Sequence, residues 1–503
     1  MKHQLNFRKE RIMNTSKALF LLGAALIALS CNRYQVPVEP TPQQPPFSLG
    51  SLDTARYVAI GNSLTAGFQS NALSSRDQAY SYPALLAAAF RIPQANFQQP
   101  LIREPGIGAR KKLTSFTLTP TGGVAVIVDE VGVNPLDPAS NLNGALPRPY
   151  NNLGIPGAVL FDMLDTTNFT TKSIARQNPF FAQILRSNVL FGRSLVAQAR
   201  ALRPTFMTCW IGNNDVLGYA TGGGANPASL TAAATFNTLY RQLMDSLRSI
   251  TPNVVVANIA DVTTIPFFST LASSVAPLIP PGVQLRYQRG TNRGASFDST
   301  RLTASYGPPY FTLIGSTWAP FLGKVGGQGG GKYYSDNRSV FPTLPAGIDT
   351  TKPFGFHPQN PWPTALVLDD AEAATAIARI ADFNRSIDSL ARNRGFAVVN
   401  MNAVLRDIAA RGLYVPGYGT FTTAFISGGA FSYDGVHPTS RGSVLMANEF
   451  IKVINAKYGA TIPLIDYGTV PQQQGFGPGG AAKVTGEFGS FDFYVDMLKN
   501  IFR

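Results

Sequence analysis

Arg56-Tyr57-Val58-Ala59-Ile60-Gly61-Asn62-Ser63-Leu64-Thr65-Ala66-Gly67 is the stretch on which the fold turns. Residues 56–60 read as a short buried strand, and Gly61-Asn62 turns the chain out of it. A serine at the carboxyl end of a parallel strand lies on the rim where α/β proteins place their sites. Its hydroxyl is a poor nucleophile until a base takes the proton, so Ser63 calls for a histidine elsewhere in the chain. The run lacks the second glycine of the Gly-x-Ser-x-Gly nucleophile elbow.

Outward from Ser63, short apolar runs alternate with helical periods. Residues 205–211, 253–259 and 396–401 read as further buried strands. Apolar residues recur every three to four positions over 83–90, 179–202, 229–250, 369–394 and 439–458. This alternation predicts one α/β domain over 53–467, built on a parallel sheet covered on both faces. Two stretches exceed a minimal α/β unit: 92–150, with β character at 114–119 and 124–131, and the Pro/Gly-rich 266–368. Both are read as loop- or β-rich insertions. The Gly-rich tail 468–503 carries no pattern.

Three further groups could carry chemistry. In Asp434-Gly435-Val436-His437, an acid three residues before a histidine can fold back across a glycine turn onto the imidazole and set its tautomer. The chain has three histidines; His3 lies in the leader, and His357 has no nearby carboxylate and reads as structural. Asn214, in Gly212-Asn213-Asn214-Asp215 after a strand, can donate to an oxyanion. The glycines of Asn152-Leu153-Gly154-Ile155-Pro156-Gly157 let backbone amides approach a ligand. Arg286, Arg289, Arg293 and Arg301 read as a solvated loop face. Tyr80, Tyr82, Phe267 and Phe268 read as core, with a pocket wall as the alternative. Pro266 follows a strand end and is placed near the mouth of the site.

Taken in order, Gly61-Asn62-Ser63-Leu64, Asn152 to Gly157, Gly212 to Asp215 and Asp434 to His437 resemble the four short blocks of the SGNH (GDSL-type) hydrolase family. The resemblance spans most of the chain, although the blocks themselves are short. Asn62 departs from the Asp of the family name. The resemblance implies a three-layer α/β/α, flavodoxin-like fold with a mostly parallel sheet. It also implies a serine esterase with Ser63 as nucleophile, His437 as general base and Asp434 as its orienting acid. The oxyanion hole would be formed by the amides of Ser63 and Gly157 and by the side chain of Asn214. No cofactor is implied. No metal is expected either, since no Cys pair or His pair stands at ligand spacing.

The amino end adds an address. Lys2, Arg8, Lys9, Arg11 and Lys17 precede an apolar run, 18–30, that is too short for the roughly 20 residues of a spanning helix. Residues 1–30 therefore read as a secretory signal, with Met1 or Met13 as the start. Cys31 after Ala28-Leu29-Ser30 resembles a lipobox, which implies lipidation at Cys31 and an outer-membrane lipoprotein. With no acidic run after Cys31, the periplasmic face is expected. Residues 31–52, rich in proline, read as a tether.

The chain has 503 residues, 45% of them hydrophobic, which excludes a mostly disordered protein. Its net charge of +14 falls to +10 without the leader, and no nucleic-acid motif accompanies it. Two cysteines make no disulfide scaffold, and Cys209 reads as a buried small hydrophobe. The expected partner is a small-molecule, lipid or glycan ester, and the oligomeric state is not legible. The competing class is a non-catalytic glycan-binding envelope lipoprotein on the same fold; the complete Ser, His and Asp set favours the enzyme.

Overall fold

The apolar runs assemble side by side. The computed structural model describes residues 46–119, 122–289, 292–299 and 307–472. In it β1 (Tyr57–Gly61), β2 (Asn152–Gly154), β3 (Phe206–Trp210), β4 (Val254–Ala257) and β5 (Ala397–Val399) form a sheet ordered β2-β1-β3-β4-β5. Every neighbouring pair is parallel. This is the flavodoxin-like order, with the reversal between β1 and β3 opening a crevice at their carboxyl ends.

The period-2 alternation of the strands divides the core into two layers. Val58, Ile60, Met207, Cys209, Val254 and Val256 point to one side, against α3 (Leu195–Ala201), α5 (Ala233–Arg248) and α6 (Asp370–Arg392). Tyr57, Ala59, Phe206, Trp210, Val255 and Ala257 point to the other. That layer holds α2 (Tyr82–Ala89), α7 (Met401–Arg411) and α8 (Ser440–Tyr458). Tyr82 stacks on Phe450 at 4.8 Å between α2 and α8. The architecture is thus three-layer α/β/α. Cys209 is buried, and burial pushes its thiol up to about 12.

The elements differ from the sequence reading where polar caps intervene. The helix expected over 179–202 is three short ones, Phe180–Ile184, Asn188–Phe191 and α3. The hydroxyls of Ser187 and Ser194 accept from the amides of Leu190 and Ala197, and each starts a new helix. The strand expected over 396–401 ends at Val399, because the Asn400 side chain caps α7. Asp369 and Glu372 form a capping box that opens α6.

Within 92–150 the β character becomes an antiparallel hairpin, Arg110–Thr119 with Gly122–Glu130. Its base is held by the buried Arg110, which pairs with Asp77 at 2.9 Å and Glu104 at 3.0 Å. The described part of 266–368 has its own aromatic core around Phe311, Trp318, Tyr333, Phe354 and Trp362. The end of the proposed tether lies against the domain: Leu52 is buried, and the Ser51 amide donates to the Tyr458 carbonyl. Val470, in the proposed tail, is buried as well. The leader 1–30, Cys31, most of the tether and residues 473–503 lie outside the described residues. Among the described residues, no helix is long and apolar enough to cross a membrane.

Candidate active site

Ser63 is the first residue of α1 (Ser63–Ala66), a single turn at the carboxyl end of β1. The buried Asn62 caps that turn: its side-chain oxygen accepts from the Leu64 amide, and its nitrogen donates to Asn213 Oδ1 at 3.2 Å. An Asn at this position thus supplies both a donor and an acceptor and ties the end of β1 to the loop after β3. The Thr65 hydroxyl meets the Tyr82 hydroxyl at 3.2 Å, anchoring the turn from beneath. Gly154 of β2 makes the close fit possible, since a Cβ there would lie 2.3 Å from the Ala66 nitrogen. The Asn152 side chain bridges the same turn, donating to the Thr65 carbonyl at 2.8 Å.

His437 comes from the loop before α8. That loop is fixed by the Ser432 amide donating to the His437 carbonyl and by Thr439, whose hydroxyl caps α8. Gly435, at φ +71°, turns the chain between Asp434 and His437; its carbonyl accepts from the Phe267 amide at 2.9 Å. The start of 266–368 therefore braces the histidine loop. His437 Nε2 lies 2.9 Å from Ser63 Oγ, and Nδ1 lies 2.9 Å from Asp434 Oδ2. Phe68 covers the imidazole at 4.7 Å between ring centres.

Asp434 sits among donors. Oδ1 accepts from the amides of Val436 and His437 and from the Ser432 hydroxyl; Oδ2 accepts from the Asn71 amide at 2.8 Å besides the imidazole. Burial alone would raise its pKa, but the facing His437 and these hydrogen bonds outweigh it and hold the carboxyl at about 2. The Asn71 contact exists because Ser70 and Asn71 both have positive φ, 52° and 62°, which turns consecutive amides toward Ser432 and Asp434. Asn tolerates this left-handed backbone better than most residues.

The oxyanion candidates gather on the β2 and β3 side. Asn214 opens α4 (Asn214–Thr221) and donates through Nδ2 to the Ala158 carbonyl at 2.8 Å, which leaves its second amide hydrogen for a ligand. The turn at Gly157 has φ +76°. Two buried acids hold the segment after it. Asp215 accepts from the Leu160 amide and the Thr231 hydroxyl, and burial pushes its carboxyl up to about 6. Asp162 accepts from the Val159 amide and pairs with Arg176 at 2.6 Å.

The structure thus brings Ser63, His437 and Asp434 into one chain of hydrogen bonds and sets Asn214 beside Ala158, the residue after Gly157. His357 forms a local turn, accepting from the Gln359 amide. Arg289 is paired with Asp369 and Asp370 at the start of α6; Arg301 lies outside the described residues. Tyr82, Phe267 and Phe268 are buried. Sequence reasoning missed Asn71, Ser432 and Asp215 as supports. It also missed α7, although Met401, Val404, Leu405 and Ile408 follow the i, i+3, i+4, i+7 helical period. Among the described residues, no group of three His, Cys, Asp or Glu could hold a metal.

No protein-family model matches the chain, and no curated protein matches it. Similar solved structures include two mutants of an acetyl-xylooligosaccharide esterase from Geobacillus. Each is 11% identical at a TM-score of 0.31, over 80% of this chain and 95% or 96% of theirs. Another is an α/β hydrolase enzyme from the metagenome of Lake Arreo, Spain. It is 12% identical at a TM-score of 0.31, over 81% of this chain and 97% of its own. Likeness at this level defines neither family nor activity.

Proposed function

We propose that the protein is a serine ester hydrolase of the SGNH type. The observation that carries this reading is the Ser63–His437–Asp434 relay, with both links at 2.9 Å. Asp434, held ionised, orients the imidazole and stabilises it when it becomes charged. His437 takes the Ser63 proton as Oγ attacks the ester carbonyl. The resulting oxyanion is met by the Ser63 and Gly157 amides and by Asn214, each worth about 3 kcal/mol to the transition state. His437 then protonates the leaving alcohol. Water, activated by the same imidazole, releases the acid from Ser63.

The proposal extends to the cell envelope: residues 1–30 would be removed and Cys31 lipidated, holding the domain at the outer membrane. Mass spectrometry of the mature amino end tests that part; an unmodified Cys31 contradicts it. For the activity, a fluorophosphonate probe should label purified protein at Ser63 and fail to label Ser63→Ala. A well-folded protein that stays unlabelled contradicts the hydrolase and leaves the binding lipoprotein.

A further inference from the structure

The catalytic group opens into a cleft whose far wall is wholly apolar. Besides Ser63, Asn214, His437 and the mutually bonded Asn62 and Asn213, it is lined by apolar side chains, among them Leu217, Val262, Met401, Val404, Ile408 and Met446. None of its lining residues is Asp, Glu, Lys or Arg. A sugar seated there would lose its water without gaining partners, because the polar lining groups are confined to the catalytic end. A hydrocarbon chain would instead lose unfavourable contact with water.

We infer that this cleft, between α7 and α8, seats the acyl chain of a medium-chain ester; the inference rests on the hydrolase reading above. The acyl group is the part of the substrate that remains bonded to Ser63 between the two steps, and the seat begins at Ser63 itself. The acyl carbon gains its bond to Oγ as its bond to the alcohol oxygen breaks. The Ser63 proton passes through His437 to that oxygen, and water later returns Oγ to the hydroxyl while releasing the fatty acid. Length follows from α7. Met401 to Ile408 covers about 10 Å of helix. An extended chain advances roughly 1.2 Å per bond, so about eight carbons fill the seat.

The test measures kcat/KM for 4-nitrophenyl acetate, butyrate, octanoate and palmitate. The ratio to acetate should rise about fourfold per methylene through octanoate and then level. Val404→Trp and Met446→Trp, from opposite walls, should each lower the octanoate-to-acetate ratio at least tenfold. Fluorophosphonate labelling of Ser63 in each variant reports that the site is folded. Hydrolysis of acetate with a flat or falling chain-length profile overturns the acyl seat and leaves the hydrolase standing. A rise with the length of the alcohol, at constant acyl group, overturns it as well. Absence of both hydrolysis and labelling overturns the hydrolase reading, and this inference with it.

Discussion

Replacing Asp434 with Asn isolates the role of the acid at nearly constant shape. Five donors converge on the carboxylate: the Asn71, Val436 and His437 amides, the Ser432 hydroxyl and His437 Nδ1. An Asn has one oxygen and one NH2 to set against them. With NH2 at the Oδ2 position it opposes the Asn71 amide and the imidazole, so Nδ1 must become the acceptor and Nε2 must carry the proton. That tautomer cannot take the Ser63 proton. With NH2 at Oδ1 it opposes two backbone amides and a hydroxyl, which is worse. The first orientation therefore wins, and kcat should fall about 10⁴-fold, or about 5 kcal/mol. The orphaned Asn71 amide should cost about 1–3 kcal/mol of stability. Steady-state hydrolysis of 4-nitrophenyl butyrate, with urea unfolding of the same preparation, measures both. A folded Asp434→Asn protein within tenfold of the parent kcat would refute the relay.

Other outcomes follow from neighbouring groups. Asn214→Ala should lower kcat 10²–10³-fold with a smaller change in KM, measured on the same ester; an unchanged kcat would remove Asn214 from the oxyanion hole. Asp434 is held at about 2 against an ordinary 3.8. It therefore contributes on the order of 2 kcal/mol above pH 4, lost as pH falls from about 4 to about 2. Denaturant unfolding of the parent and Asp434→Asn should show their difference shrinking over that interval, and a flat difference would contradict the assignment. Arg110→Met should cost about 1–3 kcal/mol by leaving the buried Asp77 with only the Ser74 hydroxyl and the more distant Arg76, measured as a urea midpoint shift. It should also lower kcat, because the hairpin base braces Asn71 through the Lys111 amide on the Ser70 carbonyl.

The sheet was legible because its strands are buried on both faces and read as continuous apolar runs, as in 56–60 and 205–211. β2 was harder: Asn152–Gly154 is three residues long, and Asn and Gly are poor strand formers. Their presence is explained by what crosses them, since Gly154 admits α1 and Asn152 bonds to it. Ser63, His437 and Asp434 stood out as candidates because each lies in a short block of recognisable residue types, although Ser63 and His437 are 374 positions apart. The supports were not. Asn71 acts through its backbone amide, which carries no residue signature, and its partner Asp434 lies 363 positions away. Tyr82, Phe267 and Phe268 are buried, in keeping with their reading as core rather than pocket wall. The apolar lining of the cleft lies partly on α7, where a regular helical period was available to be read.

A pre-steady-state experiment reads the acylation of Ser63 itself. Excess 4-nitrophenyl octanoate is mixed with protein, the reaction is quenched in acid, and the peptides are weighed. A burst of about one nitrophenol per protein is expected, with an octanoyl group on the peptide carrying Ser63, both lost in Ser63→Ala. Turnover with no acylated Ser63, or an acyl group on another residue, would contradict it.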